Sequence, residues 1–284
     1  MVVGRIVEHA DDRYSLPPEH AAFLTRDAAP NNVAAFTQYV PLLGTVENRI
    51  VEAFRKGGGV PYSGFPRFQE VMAEGSGQSV VPAILDHILP LVPGLPQRLE
   101  SGIDVLDVGC GSGRALNIMA RAYPKSQFTG YDISREGVSA GEAEAGAMGL
   151  TNARFAVRDV TSLEETERYD LITTFDAVHD QAWPDKVLRG IARALKPDGI
   201  YLMQDIGASS HLDKNLDHPA GPFLYTVSTM HCMTVSLAEG GMGLGAVWGE
   251  EKAKEMLAEA GFTSVEVKKL AHDFQNSYFI IGKG

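Results

Sequence analysis

The chain has 284 residues, of which 44% are hydrophobic, and its 25 basic and 36 acidic side chains give a net charge of −11. This length provides for one large domain and a smaller piece. So negative a charge disfavours a protein that binds phosphate backbones or anionic lipids in general. The sequence also contains no long run of Lys or Arg. We therefore expect neither a nucleic-acid nor a membrane partner.

The cysteine count and the start of the sequence indicate a reducing compartment. Cys110 and Cys232 are the two cysteines, and they form neither a disulfide framework nor a zinc-binding pattern. No stretch reaches the roughly 18 apolar residues that a bilayer span requires. Charged residues such as Arg5 and Glu8 near the start are atypical of a signal peptide. We expect a cytoplasmic protein.

The first 96 residues predict a short β-hairpin followed by helices. Apolar and polar residues alternate on both sides of a turn, and amphipathic runs separated by Gly and Pro come next. The predicted elements are strands at Gly4–Glu8 and Tyr14–Leu16 and helices from Val33 (capped by Asn31 or Asn32 and broken near Pro41), at Val46–Lys56 and at Ser79–Leu91. Prolines and a glycine at 93–96 mark a boundary.

From Ser101 onward, strands alternate with helices of about ten residues, a pattern that predicts a parallel sheet with helices on both faces. The predicted strands are Ile103–Val108, Phe128–Tyr131, Ala153–Val157, Leu171–Phe175, Ile200–Gln204, Val265–Lys268 and Ser277–Ile281. The fold class is therefore α/β with a doubly wound sheet, preceded by a small, mostly helical N-terminal region.

A glycine-rich turn follows the first of these strands, where the sequence reads VLDVGCGSG and a helix begins after Gly113. Ligands of doubly wound sheets bind at the carboxyl ends of strands, beside such turns. Glycines at Gly109, Gly111 and Gly113 would let a ligand approach the backbone closely. We therefore predict a cofactor site here. A tight turn without a ligand is the alternative.

The spacing of the glycines distinguishes between cofactors. The dinucleotide fingerprint is G-x-G-x-x-G, whereas here Arg114 stands in place of the third glycine, which disfavours NAD. The motif resembles the first motif of class I S-adenosylmethionine-dependent methyltransferases, and the resemblance covers roughly residues 101 to 282. It implies a Rossmann-like seven-stranded sheet, S-adenosyl-L-methionine as cofactor, and methyl transfer to a small-molecule acceptor. It also places Asp107 among the cofactor-binding residues.

The same resemblance assigns further cofactor contacts to the ends of strands. Asp132 would accept both ribose hydroxyls, and Ile133 would lie against the adenine. Asp159 with Val160 would receive the adenine amino group, and Phe175 would meet the methionine part. The alternative for each acid alone is a helix cap or a solvated turn.

A His–Asp pair follows the fourth strand. His179 and Asp180 resemble the pair of plant-type O-methyltransferases, in which the histidine takes the proton of the substrate hydroxyl, although extra residues separate the pair from Trp183 here. An imidazole with a pKa near 6.5 suits such a base. The resemblance implies that His179 is the base, oriented by Asp180 or another nearby carboxylate, and that oxygen is the acceptor atom. A helix-capping or cofactor-packing histidine is the alternative.

Residues 207–249 interrupt the alternation, and long ordered loops of this kind are usually functional. We expect this segment and the aromatic segment Tyr62–Phe68 to enclose one apolar cavity. The segment contains His211, His218 and His231. Their spacing matches no helical ligand pair, so we predict no metal site.

We divide the chain into residues 1–96 and a cofactor-binding domain of residues 97–284, with 207–249 as a substrate-covering insertion. The hairpin from Gly4 to Leu16 resembles the last hairpin of a winged-helix dimerisation domain, which leaves a homodimer open. Alternative functions are an NAD(P)-linked oxidoreductase, a non-catalytic cofactor-binding protein, and a methyltransferase of proteins or nucleic acids. Nucleic acid is disfavoured by the negative charge.

Overall fold

The N-terminal region of the computed structural model, which describes residues 1–29 and 32–283, is a hairpin followed by short helices. Strands β1 (Glu8–Ala10) and β2 (Arg13–Ser15) pair antiparallel. The helices are α1 (Pro18–Leu24), α2 (Tyr39–Gly44), α3 (Glu47–Lys56), α4 (Phe68–Gly77), α5 (Val80–Ala83) and α6 (Leu95–Ser101). A hairpin forms as predicted, but its first strand is Glu8–Ala10 and not Gly4–Glu8, since residues 4–7 lie in turns and bends. Its assignment to a winged helix stays a prediction.

Two helix predictions in this region need correction. Pro41 lies inside α2 and does not break it. The single helix expected over 79–91 is instead α5 followed by a wider π turn and a 3-10 turn that contains Pro90, because proline lacks the N–H that would continue a regular helix. Asn32 caps the 3-10 helix that begins at Val33, its side chain accepting from the N–H of Ala34 at 3.0 Å. The other predicted cap, Asn31, lies outside the described residues.

A seven-stranded sheet forms the centre of the molecule, in the order β5-β4-β3-β6-β7-β9-β8. Its strands are β3 (Asp104–Val108), β4 (Gln127–Asp132), β5 (Ala153–Val157), β6 (Tyr169–Phe175), β7 (Leu195–Ile206), β8 (Ser264–Leu270) and β9 (Asp273–Gly282). The first five in this order run parallel, whereas β9 is antiparallel to both of its neighbours. The expectation of a wholly parallel sheet is therefore wrong at this edge. The two residues between β8 and β9 permit only a hairpin.

Helices cover both faces of the sheet and create two apolar clusters. The helices are α7 (Arg114–Ala122), α8 (Arg135–Ala147), α9 (Pro184–Ala194), α10 (Gly221–Val227), α11 (Met233–Ala238) and α12 (Glu250–Glu259). Neighbouring residues of β3 point to opposite faces: Val105 packs with side chains of α7, and Leu106 packs with side chains of α9 and α12. This confirms the Rossmann-like fold class.

The N-terminal region does not stand apart from the sheet. Side chains of α2 and α3 share an apolar cluster with Val235 of α11, and the N–H of Val60 donates to Oγ1 of Thr234 at 2.7 Å. Residues 80–99 contribute to the same cluster as α7 on one face of the sheet. The boundary at residue 96 therefore runs through a shared core, and the division of the chain stays a prediction.

In the ranges that the structure describes, no single helix is long and apolar enough to cross a membrane. Within the described residues, the segments Phe68–Leu91 and Leu95–Ser101 meet the criterion of length and composition only when they are taken together, and the chain bends by 105° between them.

Substitution of a central core leucine tests the packing. Leu106 is 0% exposed in β3, so Leu106→Ala should lower the free energy of unfolding by about 2–5 kcal/mol, through lost burial and the cavity left behind. Leu216 is 77% exposed, and Leu216→Ala should change it by less than about 0.5 kcal/mol. Urea unfolding followed by circular dichroism measures both. Equal effects would contradict the described core.

Candidate active site

The glycine turn after β3 is tied to the end of β4 by Asp132. Its Oδ2 accepts from the N–H of Gly111 at 2.7 Å, and its Oδ1 accepts from the N–H of Ser134 at 2.7 Å. Burial raises the pKa of Asp132, while these backbone N–H groups act in the opposite direction. Each carboxylate oxygen retains a further lone pair. Asp132 can therefore hold the turn and still accept hydroxyl groups of a ligand.

The three glycines of the turn are required for different reasons. A Cβ on Gly109 would lie 2.6 Å from Cβ of Ala177, and one on Gly113 would lie 2.3 Å from Cε1 of Phe155. At these two positions the protein itself fills the space, which corrects the expectation that all three glycines make room for a ligand. A Cβ on Gly111 would meet only Gln69, at 3.8 Å, and its φ of +52° favours glycine. Gly111 is thus the position that opens toward a ligand.

Two of the predicted cofactor residues have inward-facing side chains. Asp107 is 2% exposed and accepts from Oγ1 of Thr173 at 2.8 Å, and burial raises the pKa of its carboxyl group to about 7. Val160 is 5% exposed and belongs to the core on one face of the sheet. Asp107 lies on β3, a parallel strand buried on both faces, and Val160 lies in the 3-10 turn after β5. The ligand contacts expected of Asp107 and Val160 stay predictions.

The other predicted contacts lie at strand ends. Ile133, just after β4, is 68% exposed and offers an uncovered apolar surface. Phe175 ends β6 and is half-buried. Asp159 caps the turn that follows β5, its Oδ1 accepting from the N–H and the hydroxyl of Thr161 at 2.9 and 2.7 Å. Asp159 thus acts as a cap, which is the alternative that its position also allowed. A contact between Asp159 and a ligand stays a prediction.

His179 is held by a carboxylate that the sequence patterns do not indicate. Its Nδ1 lies 2.8 Å from Oδ1 of Asp205, near the end of β7, and both side chains are almost fully buried. Asp180 instead accepts a hydrogen bond from the hydroxyl of Tyr62. The carboxylate that orients His179 is therefore Asp205, not its neighbour in sequence. An acid at the end of the strand next to β6 is the one signal that could have identified it.

The pairing with Asp205 controls the charge of His179. Burial lowers the pKa of the imidazole, but the carboxylate of Asp205 and the neighbouring thiol of Cys232 raise it, and the net pKa lies well above 6.5. The protonated ring and Asp205 then form a buried ion pair. A rise in pH is needed to free the ring as a base.

A cavity of about 240 Å³ opens beside His179. Both predicted covering segments reach it, through Phe68 on one side and residues 223–232 on the other. Two further segments contribute walls that the sequence patterns do not indicate. These are side chains of the N-terminal region, namely Phe23, Val33, Phe36 and Tyr39, and residues 272–276 at the start of β9. The lining is mostly aromatic and aliphatic, with polar groups near His179.

His231 is part of the wall of this cavity. Its ring stacks on Phe68 with centroids 3.9 Å apart and an interplanar angle of 11°. Burial, followed by the charge of His179, lowers the pKa of His231 to about 3. It is therefore a neutral aromatic element beside the acceptor space.

One group of side chains within 1–29 and 32–283 could share a cation. Potential ligand atoms of Asp176, His179 and Asp205 lie within 4.8 Å of one another. The three histidines of the insertion, His211, His218 and His231, do not belong to this group. The expected lack of a metal site stays a prediction.

This chain resembles known methyltransferases in sequence. A family model described as a methyltransferase domain matches residues 99–261. The (S)-coclaurine N-methyltransferase of Papaver somniferum is 29% identical over 109 residues, which are 38% of this chain and 31% of that protein. The match thus spans only about a third of that relative's whole length.

Solved structures match the chain over nearly its whole length at low identity. An O-methyltransferase family protein from Burkholderia thailandensis has a TM-score of 0.71 at 14% identity, covering 99% of this chain and 81% of that one. Human N-acetylserotonin methyltransferase in complex with S-adenosylmethionine has a TM-score of 0.66 at 16% identity, covering 100% and 82%. These structures share the fold. Because the family model covers more than half of its residues, this chain belongs to the methyltransferase domain family.

Proposed function

We propose that this protein transfers the methyl group of S-adenosyl-L-methionine to a hydroxyl oxygen of a small-molecule acceptor. The observation that carries the proposal is buried His179, paired with Asp205 and lining a cavity at the carboxyl edge of the sheet. Ala177, two residues before His179, packs against Gly109 of the glycine turn, which supports a site that joins the two. A base, a cofactor turn and an acceptor space then meet at one edge of the sheet.

The residues of the turn suit this cofactor. Gly111 opens toward unfilled space, Asp132 retains lone pairs for two ribose hydroxyls, and Ile133 offers an exposed apolar surface for a flat ring. Arg114 donates to the carbonyl of Ala73 in α4 at 2.9 Å, so it is engaged by protein. The cofactor supplies a methyl group that its sulfonium already makes electrophilic.

The side chains of the cavity then have two tasks. They align the acceptor hydroxyl and exclude water. In a direct displacement, alignment and the removal of water account for a large part of the activation barrier. His179 removes the proton from the hydroxyl through Nε2, because Nδ1 is held by Asp205. Asp205 keeps the ring in that orientation and stabilises the imidazolium that forms.

The cofactor assignment is tested at Asp132. Asp132→Asn replaces a charged oxygen by an amide nitrogen, so affinity for S-adenosylhomocysteine should fall about 10- to 100-fold, the worth of one or two charge-assisted hydrogen bonds. Asp104→Asn makes the same change at an exposed side chain at the opposite end of β3 and should leave affinity unchanged. Isothermal titration calorimetry measures both. Wild-type protein that binds NAD but not S-adenosylhomocysteine would overturn the assignment.

The base is tested by removing the imidazole. His179→Ala should lower kcat by about 10²- to 10⁴-fold, the usual contribution of a positioned base, with little change in affinity for S-adenosylhomocysteine. His211 is exposed in the insertion, and His211→Ala serves as the matched control. The readout is formation of S-adenosylhomocysteine with a panel of small phenols. Near wild-type turnover in His179→Ala would refute the assigned role.

The pH dependence is tested at Asp205. Since the base must be deprotonated, kcat of the wild type should rise with pH through an ionisation above 6.5. Asp205→Asn removes the charge that raises the pKa of His179, so the midpoint should move to lower pH, and the plateau should fall as the ring loses its orienting partner. Asp180→Asn should move the midpoint less, because that carboxylate is bonded to Tyr62. An unmoved midpoint in Asp205→Asn would contradict the pairing.

A further inference from the structure

Acidic side chains outnumber basic ones in the wall of the cavity. Among the described lining residues are Asp176, Asp180 and Asp273, and none is Lys or Arg; the protonated ring of His179 is paired with Asp205. Aromatic rings form much of the remaining surface, among them Phe36, Tyr39 and Phe223. Carboxylates beside aromatic faces are the surroundings that a cationic ligand prefers.

Asp176 differs from the other acids in its partners. Asp205 is bonded to His179, Asp180 to Tyr62, and Asp273 to Asn276 and Tyr278. In the described ranges, the side chain of Asp176 accepts a bond from the neutral amide of Gln204, at 3.0 Å. Its nearest cationic neighbour is the ring of His179, whose ligand atoms lie within 4.8 Å of both Asp176 and Asp205 and whose Nδ1 is bonded to Asp205. Two carboxylates thus share one cation of the protein.

The backbone also directs Asp176 to this place. It follows the last residue of β6 and has a φ of +51°, a conformation that non-glycine residues adopt seldom and Asp or Asn most readily. Burial and the neighbouring charge of Asp205 raise the pKa of its carboxyl group to about 7. Both observations describe an acid held at some energetic cost in the wall of an acceptor cavity.

We infer that the acceptor carries a protonated amine, which pairs with Asp176, so that the cavity favours cationic aromatic acceptors and excludes those bearing a carboxylate. This inference rests on the proposed function and names its substrate class. An ammonium group beside Asp176 supplies the missing counter-charge, and the surrounding rings add cation–π attraction. A carboxylate in the same position would face three acids without any compensating Lys or Arg.

A divalent cation is the competing occupant, since Asp176, His179 and Asp205 offer ligand atoms within 4.8 Å. Nδ1 of His179 is already bonded to Asp205 at 2.8 Å. A metal ion bound through Nδ1 would have to break that bond, and one bound through Nε2 would occupy the atom that the proposed base uses. An ammonium paired with Asp176 leaves both nitrogens in place.

Three probes that share one phenol ring separate the effects of charge. Tyramine, 4-ethylphenol and 3-(4-hydroxyphenyl)propionate are titrated into the full chain after EDTA treatment, with and without S-adenosylhomocysteine. Tyramine should bind at least about tenfold tighter than 4-ethylphenol, as expected for a charge-assisted contact. The propionate should show no measurable binding. Equal affinities, tightest binding of the propionate, or no binding of any probe would overturn the inference.

Two matched variants locate the contact. Asp176→Asn keeps a side chain that tolerates the positive φ, and it should abolish the preference for tyramine while leaving the affinity for 4-ethylphenol unchanged. Asp180→Asn removes the same charge from the same cavity and should retain the preference. Equal losses in the two variants would overturn the assignment to Asp176.

A further titration with Mn²⁺ or Mg²⁺ tests the competing occupant. If the metal ion binds in a way that depends on Asp176 and displaces tyramine, the inference of an amine is overturned in favour of a metal site. Failure of S-adenosylhomocysteine to bind would count against the proposed function alone, because the probe preference is also measured without it.

Discussion

The carboxyl ends of five parallel strands meet at one edge of the sheet, and the whole site depends on this arrangement. The order β4-β3-β6-β7 brings Asp132, the glycine turn, His179 and Asp205 into a continuous row, although Asp132 and Asp205 are 73 residues apart in the sequence. Backbone hydrogen bonds between the strands fix their relative positions. Side chains at the strand ends therefore need little further support, in agreement with the general location of ligand sites in such sheets.

Burial gives this row its chemical character. Asp107 and Asp176 each have a carboxyl pKa raised to about 7, for which burial is the main cause, and the ring of His179 is charged by its pairing with Asp205. In a medium of low dielectric, each charge must find a partner or lose its proton. Asp205 and His179 satisfy each other. Asp176 has the neutral amide of Gln204 as its hydrogen-bond partner, and this difference separates the proposed base and its partner from the recognition role that we assign to Asp176.

The acceptor cavity is assembled from parts that are far apart in the chain. Helices of the N-terminal region, the insertion after β7 and the start of β9 each supply a wall. The apolar cluster that joins α2 and α3 to α11 holds the first two of these together. The cofactor turn and the His179–Asp205 pair stand instead on β3, β4, β6 and β7 and the loops that follow these strands.

Local patterns in the sequence determined the elements and the cofactor turn. Strand β5 has the bounds that periodicity predicts, and helix α7 begins directly after Gly113, as predicted. The glycines after β3 mark the turn, because period and turn chemistry depend on near neighbours. Tertiary structure alone decided the antiparallel edge at β9, the filling of the space at Gly109 and Gly113 by Ala177 and Phe155, and the choice of Asp205 over Asp180 as the partner of His179. Each of these is a contact between residues distant in sequence. Only the folded chain brings such residues within a few ångströms, and only there does burial decide which carboxylate carries a charge.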